Sequence, residues 1–187
     1  MKKPSEILSE EHQVILKMLD IVEKACKQLE NDKQIDIEDG RKMIDFIRTF
    51  ADHCHHKKEE DILFKKMLER GLPSEGGPVQ VMLSEHDLGR NYVKQAEEAL
   101  NELEKAYTED SAQQFVQNAM GYVMLLREHI YKEDNILYPM GDRLFSEDDQ
   151  AELLKSFQTV EHEDIGHGVH DKYIQLVEDF AKKYLGS

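Results

Sequence analysis

Residues 55–63 read HHKKEEDIL and residues 129–137 read HIYKEDNIL, so the second stretch repeats the first at an offset of 74 positions. Each stretch begins with histidine, carries glutamate four positions later and ends in Ile-Leu. Residues four apart lie on one face of an α-helix, so each stretch presents an imidazole and a carboxylate to the same point. The sequence therefore predicts two matching helices, each with a His-x-x-x-Glu pair.

The same offset relates residues further out along the chain. Between positions 11 and 63, twelve residues are identical to the residue 74 positions later, and His12 thereby matches His86. The other identical pairs are Glu11/Glu85, Glu23/Glu97, Ala25/Ala99, Leu29/Leu103, Glu30/Glu104, Asp36/Asp110, His55/His129, Lys58/Lys132, Glu59/Glu133, Ile62/Ile136 and Leu63/Leu137. Two helical hairpins of common pattern, packed antiparallel, would bring four histidines and two glutamates toward one interior.

Helical periodicity dominates the chain, and the alternation typical of strands is nearly absent. We expect the first helix to begin near Ser5, and Pro78 to open a third helix that runs to about Tyr107. Proline and glycine stop helices, so Pro139 with Gly141 is expected to close the fourth.

The predicted fold class is all-α. We expect an antiparallel up-down four-helix bundle over about residues 5–140 and a C-terminal helical extension over about residues 146–185. Ser146, with Asp149 three positions on, resembles a capping box and opens that extension. We interpret residues 1–187 as a single domain.

The first stretch contains two His-x-x-x-Glu pairs, His55/Glu59 and His56/Glu60. Only His55/Glu59 has a counterpart 74 positions on, and the apolar residues around it, such as Leu63, follow its helix face. We therefore expect His56 to be a partly exposed histidine beside Glu60. Two alternatives stay open: His56 could hold a neighbouring ligand in position, or it could bind the metal itself.

The apolar stripe around His129 places Ile136 and Leu137 in the core. Tyr122 lies two turns before His129 on this stripe. We interpret Tyr122 as a packed core residue, with a hydrogen bond from its hydroxyl to a metal-bound ligand as the alternative.

Four histidines and two glutamates on apolar helix faces indicate metal chemistry. Burial of two glutamates without a cation costs several kcal/mol per ion even after relaxation. A pair of divalent cations removes that cost, and imidazole with carboxylate suits Fe, Mn or Zn. The predicted metal ligands are His12, His55, Glu59, His86, His129 and Glu133.

Composition limits the partners. The 187 residues include 24 basic and 39 acidic side chains, and the net charge of −15 argues against nucleic acids and anionic membranes as partners. Residues 1–6 lack the apolar stretch of a secretory signal, and Cys26 and Cys54 form no CxxC pair, so we expect a cytoplasmic protein. Cys54 lies between two histidines, and we interpret it as a small buried residue and not as a ligand.

These residues resemble the hemerythrin-like, or HHE, cation-binding family. The resemblance covers about residues 5–140 and rests on the order and spacing of His12, His86 and the two repeated stretches. It implies a non-haem di-iron centre with Glu59 and Glu133 as bridging carboxylates and the four histidines as terminal ligands. The implied cofactor is two iron ions with an oxo or hydroxo bridge, and Mn or Zn is the alternative.

Two positions depart from the oxygen-carrying members of that family. Those members have a second histidine one turn after the histidine of the third helix, where this sequence has Arg90. They also use an aspartate five residues after the histidine of the fourth helix, and Asp134 has that position here. The i+4 geometry and the repeat select Glu133 over Asp134. With one histidine fewer, both metal ions are expected to keep an exchangeable position.

The function that we expect is binding of a diatomic ligand, O2 or NO, for sensing, storage or scavenging, and enzymatic turnover stays open. A di-iron oxidase or peroxidase that acts on peroxide is one alternative, and a protein that repairs iron–sulfur clusters or delivers iron is another. A metal-stabilised module that acts through an unidentified protein partner is a third hypothesis.

The segment from residue 161 to 170, EHEDIGHGVH, is rich in charged side chains. We interpret it as a solvated helix that Gly166 and Gly168 break or bend. The alternative is that Glu163 or His167 reaches an open position on a metal ion.

Overall fold

The computed structural model describes residues 2–161 and 168–186, and every regular element in these ranges is helical. The α-helices are α1 (Pro4–Asp32), α2 (Ile37–Phe46), α3 (Phe64–Glu69), α4 (Pro78–Lys105), α5 (Glu109–Lys132), α6 (Tyr138–Leu144), α7 (Glu147–Thr159) and α8 (Val169–Tyr184). Wider π-helical segments, Ile47–His56, Glu59–Leu63 and Glu133–Leu137, connect α2 to α3 and α5 to α6. The all-α prediction is confirmed. Among the helices described, none has the length and apolar character needed to cross a bilayer.

Helix starts follow the signals read from the sequence. Pro78 is the first residue of α4, where the N–H that proline lacks is not needed. The hydroxyl of Ser146 accepts a hydrogen bond from the backbone N–H of Asp149 at 3.1 Å and opens α7. Gly168 adopts a φ of 78° immediately before α8, so the break predicted there is confirmed. Gly166 lies outside the described residues.

The expectation that Pro139 and Gly141 close the fourth helix is wrong. The chain stays helical through both residues as far as Leu144. Pro139 lies in the first turn of α6, directly after the π-helical segment Glu133–Leu137. Pro139 has no N–H to donate to the preceding helical turn, yet the chain continues as a helix through it.

The π-helical segment Glu133–Leu137 also changes which side chains face the core. Ile136 is 50% exposed, so its predicted core position is wrong, whereas Leu137 is buried as predicted. An i→i+5 turn contains more residues than the roughly 3.6 of an α-helical turn. Side chains that follow Glu133 therefore lag behind the α-helical phase that the sequence pattern assumed.

Two apolar clusters enclose a layer of polar side chains. On α1, Leu8 belongs to the smaller cluster and Ile15 to the larger one, with His12 between them. The next helical stretch passes the layer in the opposite order, from Ala51 in the larger cluster to Leu63 in the smaller. Helix α4 repeats the order of α1, and the stretch from α5 into α6 repeats the order of the second stretch. The polar layer therefore lies between the two clusters along all four stretches.

The C-terminal helices contact the helices that carry this layer. The Tyr184 hydroxyl of α8 donates a hydrogen bond to Oδ2 of Asp39 at 2.6 Å. From α7, Asp149 accepts from Arg70, with Nη2 to Oδ1 at 2.6 Å. The extension thus packs against α1, with further contacts to Asp39 of α2 and to Arg70 after α3.

Candidate metal centre

The structure brings the six predicted ligands together in the polar layer, and each is at most 2% exposed. Their ligand atoms form two groups, and within each group the atoms lie within 4.8 Å of one another. The first group consists of His12, His55, Glu59 and Glu133, and the second of His56, Glu59, His86 and His129. Glu59 belongs to both groups, so its carboxylate lies between two candidate cation positions.

The four predicted histidines face one another in pairs. Nε2 of His12 lies 2.9 Å from Nε2 of His55, and Nε2 of His86 lies 3.0 Å from Nε2 of His129. Metal–imidazole bonds are about 2.0–2.1 Å long, so one cation can bind both nitrogens of a pair. Each hairpin of the sequence repeat contributes its own pair to the layer.

Behind every one of these rings stands a carboxylate. It accepts a hydrogen bond from Nδ1–H, so the proton is fixed on Nδ1 and the lone pair of Nε2 is left for a metal. The pairs are His12 with Asp134 at 2.9 Å, His55 with Glu11 at 2.8 Å, His86 with Glu60 at 2.7 Å, and His129 with Glu85 at 2.9 Å.

Two of these carboxylates also have a lysine partner. Lys58 donates to Glu11, and Lys132 donates to Glu85. Both pairs are identities in the 74-residue repeat, although their positions in the sequence alone indicate no role. The repeat therefore contained the signal: these four identical residues surround the same site as the six predicted ligands.

The choice of Glu133 over Asp134 agrees with the geometry. Oδ1 of Asp134 is bonded to Nδ1 of His12 and accepts from the Ser9 hydroxyl at 2.6 Å, so it lies behind the ring. The oxygens of Glu133 lie 3.2 Å from Nε2 of His129 and 3.3 Å from Nε2 of His12. Glu133 thus faces the ring nitrogens that are free to bind a metal.

The donor set fits a pair of metal ions. Among the described residues, three buried side-chain oxygens have no hydrogen-bond partner, and all belong to this layer: Glu59 Oε2, Glu133 Oε1 and Glu133 Oε2. Buried polar atoms are normally satisfied, and a buried carboxylate without a counter-charge is costly. Cations would satisfy these oxygens, and donors of nitrogen and carboxylate oxygen suit Fe, Mn or Zn.

The hemerythrin HHE cation-binding domain matches residues 3–141 of the sequence. The chain belongs to this family. The resemblance proposed from the sequence is therefore confirmed, and the property that the family description gives, cation binding, fits the donor set of the polar layer.

Similar proteins give no further functional information. Uncharacterized proteins of Mycobacterium bovis and of two Mycobacterium tuberculosis strains are each 22% identical over 177 residues, which is 95% of this chain and 68% of the relative. No solved structure matches the chain significantly.

In the polar layer of this HHE domain, the electrostatic environment opposes simultaneous ionisation of the two adjacent carboxyl groups. Burial, and then the neighbouring Glu133, raise the pKa of Glu59 well above its ordinary value. Burial also opposes ionisation of Glu133, but the His129 and His12 rings bring the pKa of Glu133 well below its ordinary value. Burial lowers the pKa of His55 to about 4, which favours the neutral ring that binds metals. Without cations, the layer therefore balances its charge with protons.

The expectation of a partly exposed His56 is wrong. Its side chain is 5% exposed, and its ring stacks on His86 with the centroids 3.8 Å apart. Two consecutive histidines point inward because they lie in the π-helical segment Ile47–His56, where neighbouring side chains are separated by a smaller angle than in an α-helix. Arg90 lies close by and donates hydrogen bonds to Asp52.

Other residues that the sequence singled out lie outside the two groups. Tyr122 is a buried core residue, as predicted, at 4% exposure. Cys54 is buried, and in the described part of the chain it belongs to neither ligand group. Glu163 and His167 lie outside the described residues, so their proposed reach to a metal stays a prediction.

A cavity of about 160 Å³ borders the second ligand group. It ends on the rings of His56 and His86, and Arg90, Tyr122 and Gly89 form part of its wall. A Cβ at Gly89 would lie 3.4 Å from the Tyr122 ring, which is an ordinary contact. The cavity is large enough for a molecule of a few atoms and borders the layer at His56 and His86.

Proposed function

We propose that this HHE domain holds two iron ions and through them binds a diatomic ligand, O2 or NO, for sensing, storage or scavenging. One observation carries the proposal: Glu59 contributes to two adjacent groups of ligand atoms. A carboxylate shared in this way keeps two metal ions close enough to act on one small ligand. The antiparallel four-helix bundle proposed for about residues 5–140 supplies both groups from facing helices.

When bound, two ferrous ions supply electrons and exchangeable coordination positions for the ligand. The protein residues prepare the site. Carboxylates at Nδ1 raise the basicity of the ring nitrogens that would bind the ions. The Tyr138 hydroxyl donates a 2.5 Å hydrogen bond to Oε1 of Glu59 and so holds a proton at the edge of the layer. Apolar clusters on both sides, represented by Leu63 and Val123, keep bulk water away.

The size of the cavity favours a small ligand. Its volume of about 160 Å³ and its ending on His56 and His86 suit a molecule of a few atoms. The Arg90 guanidinium in its wall is already paired with Asp52 and Glu60, which reduces its attraction for a large anionic substrate.

The proposal is tested by spectroscopy of the reduced protein. We expect anaerobic loading with Fe(II), followed by O2 or NO, to change the visible absorption, and we expect Glu59→Gln to abolish that change because it removes the shared carboxylate. A fully iron-loaded sample that shows no response to either gas would contradict the proposal. Repeated turnover of peroxide by the same sample would favour the redox enzyme instead.

A further inference from the structure

The buried histidines of the polar layer share one environment. Each ring has Nδ1 beside a carboxylate oxygen that can only accept a hydrogen bond, so the lone pair of Nε2 is left unused. The pairs are His12–Asp134 at 2.9 Å, His55–Glu11 at 2.8 Å, His86–Glu60 at 2.7 Å, His129–Glu85 at 2.9 Å and His56–Asp52 at 3.2 Å. His56 therefore has the arrangement of the four histidines already assigned as ligands.

His56 also lies where a ligand is needed. Its ring stacks on His86 at an interplanar angle of 16°, and its centroid is 6.0 Å from that of His129. One ligand atom of His56 lies within 4.8 Å of ligand atoms of His86, His129 and Glu59. The ring thus borders the second candidate cation position.

Arg90 aligns the carboxylates behind two rings of this group. Its Nε and Nη2 atoms donate to Oδ1 of Asp52 at 3.0 and 2.8 Å, and Nη2 donates to Oε1 of Glu60 at 2.5 Å. Asp52 and Glu60 in turn hold Nδ1 of His56 and of His86. One guanidinium therefore fixes the orientation of both rings. If His56 only filled space, its ring would not need to be held in this way.

We propose that His56 is a fifth histidine ligand and that the metal centre is asymmetric. Position 130, which lies 74 positions after His56, is isoleucine, and Ile130 is buried in the larger apolar cluster. The metal position beside His86 therefore has three ring nitrogens, and the one beside His12 has two. This inference rests on the proposed di-iron function.

The experiment compares two substitutions of His56 in the full chain, loaded anaerobically with ⁵⁷Fe(II). His56→Ala removes the ring, and His56→Phe keeps a stacked ring of similar size but removes the nitrogens. Controls are Ile130→Ala at the matching buried position of the other half and His53→Ala at an exposed position of the same helix. The readouts are Mössbauer spectra and competition with a chelator for iron.

We expect the unsubstituted protein to show two different iron environments in equal amounts. Both His56 variants should alter one environment and bind that ion at least about tenfold more weakly, while both controls keep the original spectra. Millimolar imidazole should restore the second ion to His56→Ala, because the cavity already reaches this ring. It should not restore the ion to His56→Phe, whose ring fills the space.

His56→Phe with the original affinities and spectra would overturn the inference and leave His56 as a packing residue. His12→Ala, measured in parallel, separates this outcome from failure of the proposed function. If His12→Ala loses iron while His56→Phe does not, only the fifth ligand is wrong. If neither loses iron, the di-iron assignment itself fails. Circular dichroism in the presence of chelator shows whether His56→Ala has folded. If it has not, the result for His56→Phe alone decides whether His56 is a ligand.

Discussion

Tyr138 donates a 2.5 Å hydrogen bond to Oε1 of Glu59, whereas the residue 74 positions before Tyr138 is Phe64, which has no hydroxyl to offer Glu133. The six predicted ligands and the supporting lysines of the two halves match, but His56 corresponds to Ile130. Tyr138 and His56 are thus two points at which a nearly symmetric site becomes asymmetric, and each can be tested separately.

Tyr138→Phe should lower the stability of the metal-free protein by about 1–3 kcal/mol, because it leaves a buried carboxylate oxygen without its donor. The fold should persist, since phenylalanine occupies the matching position 64. Urea unfolding in the presence of chelator measures the change. Tyr131→Phe is the control: this side chain is 65% exposed, and its variant should stay within about 0.5 kcal/mol of the original protein. Equal stability of both variants would show that the Tyr138 bond contributes nothing.

Glu133→Gln and Asp134→Asn should differ in metal content. Glu133 faces the ring nitrogens, so its loss should remove most of the bound metal. Asp134 acts through Nδ1 of His12, and its loss should weaken binding by about 10–100-fold without abolishing it. Elemental analysis and chelator competition distinguish the two. A greater loss in Asp134→Asn than in Glu133→Gln would reverse the assignment.

Lys58→Met should destabilise the protein more than Lys132→Met, although the two lysines match in the repeat. Lys58 is fully buried and pairs with Glu11, so its removal leaves a buried carboxylate poorly compensated, at a cost of about 3 kcal/mol. The Lys132 side chain is 32% exposed and its partner Glu85 is 19% exposed, so its loss should cost about 1 kcal/mol or less. Equal changes in the free energy of unfolding of the two variants, measured in urea, would contradict the prediction that burial determines the cost.

Neither cysteine should react with a thiol reagent in the folded protein. Burial is the main cause that raises the pKa of Cys26 and of Cys54 to about 12, so at pH 8 only about one thiol in ten thousand is ionised. Labelling with a disulfide reagent should therefore be slow from pH 7 to 9, rise with pH, and become rapid for both thiols in urea. Cys54→Ser should keep its full metal content. Rapid labelling of Cys54 in the native protein, or metal loss in Cys54→Ser, would identify it as a residue of the site.

The sequence predicted helices and the six side chains of the layer because both depend on periodicity. Histidine and glutamate four apart, on stripes of apolar residues, occupy one helix face whatever the surroundings. The repeat added what a single motif lacks: His12 and His86, which are far from the pairs in sequence, could be selected because they match each other.

The failures have one physical cause. Ile136 and His56 lie in π-helical segments, where α-helical phase misplaces a side chain, and Pro139, which was expected to stop a helix, lies directly after one. An inserted turn of this kind leaves no compositional signal, since its residues are ordinary helix formers. The roles of Glu11 and Glu85 escaped for a different reason: a carboxylate that holds a ring nitrogen across helices is identified only by the packing that brings them together.

The iron content of the protein tests the central claim most directly. Metal-free protein titrated anaerobically with Fe(II), then passed through a desalting column, should retain two iron ions per chain. Glu59→Gln should lose both together, because Glu59 belongs to both ligand groups. Retention of one ion or none by the original protein, or of two by Glu59→Gln, would contradict a di-iron centre held by this layer.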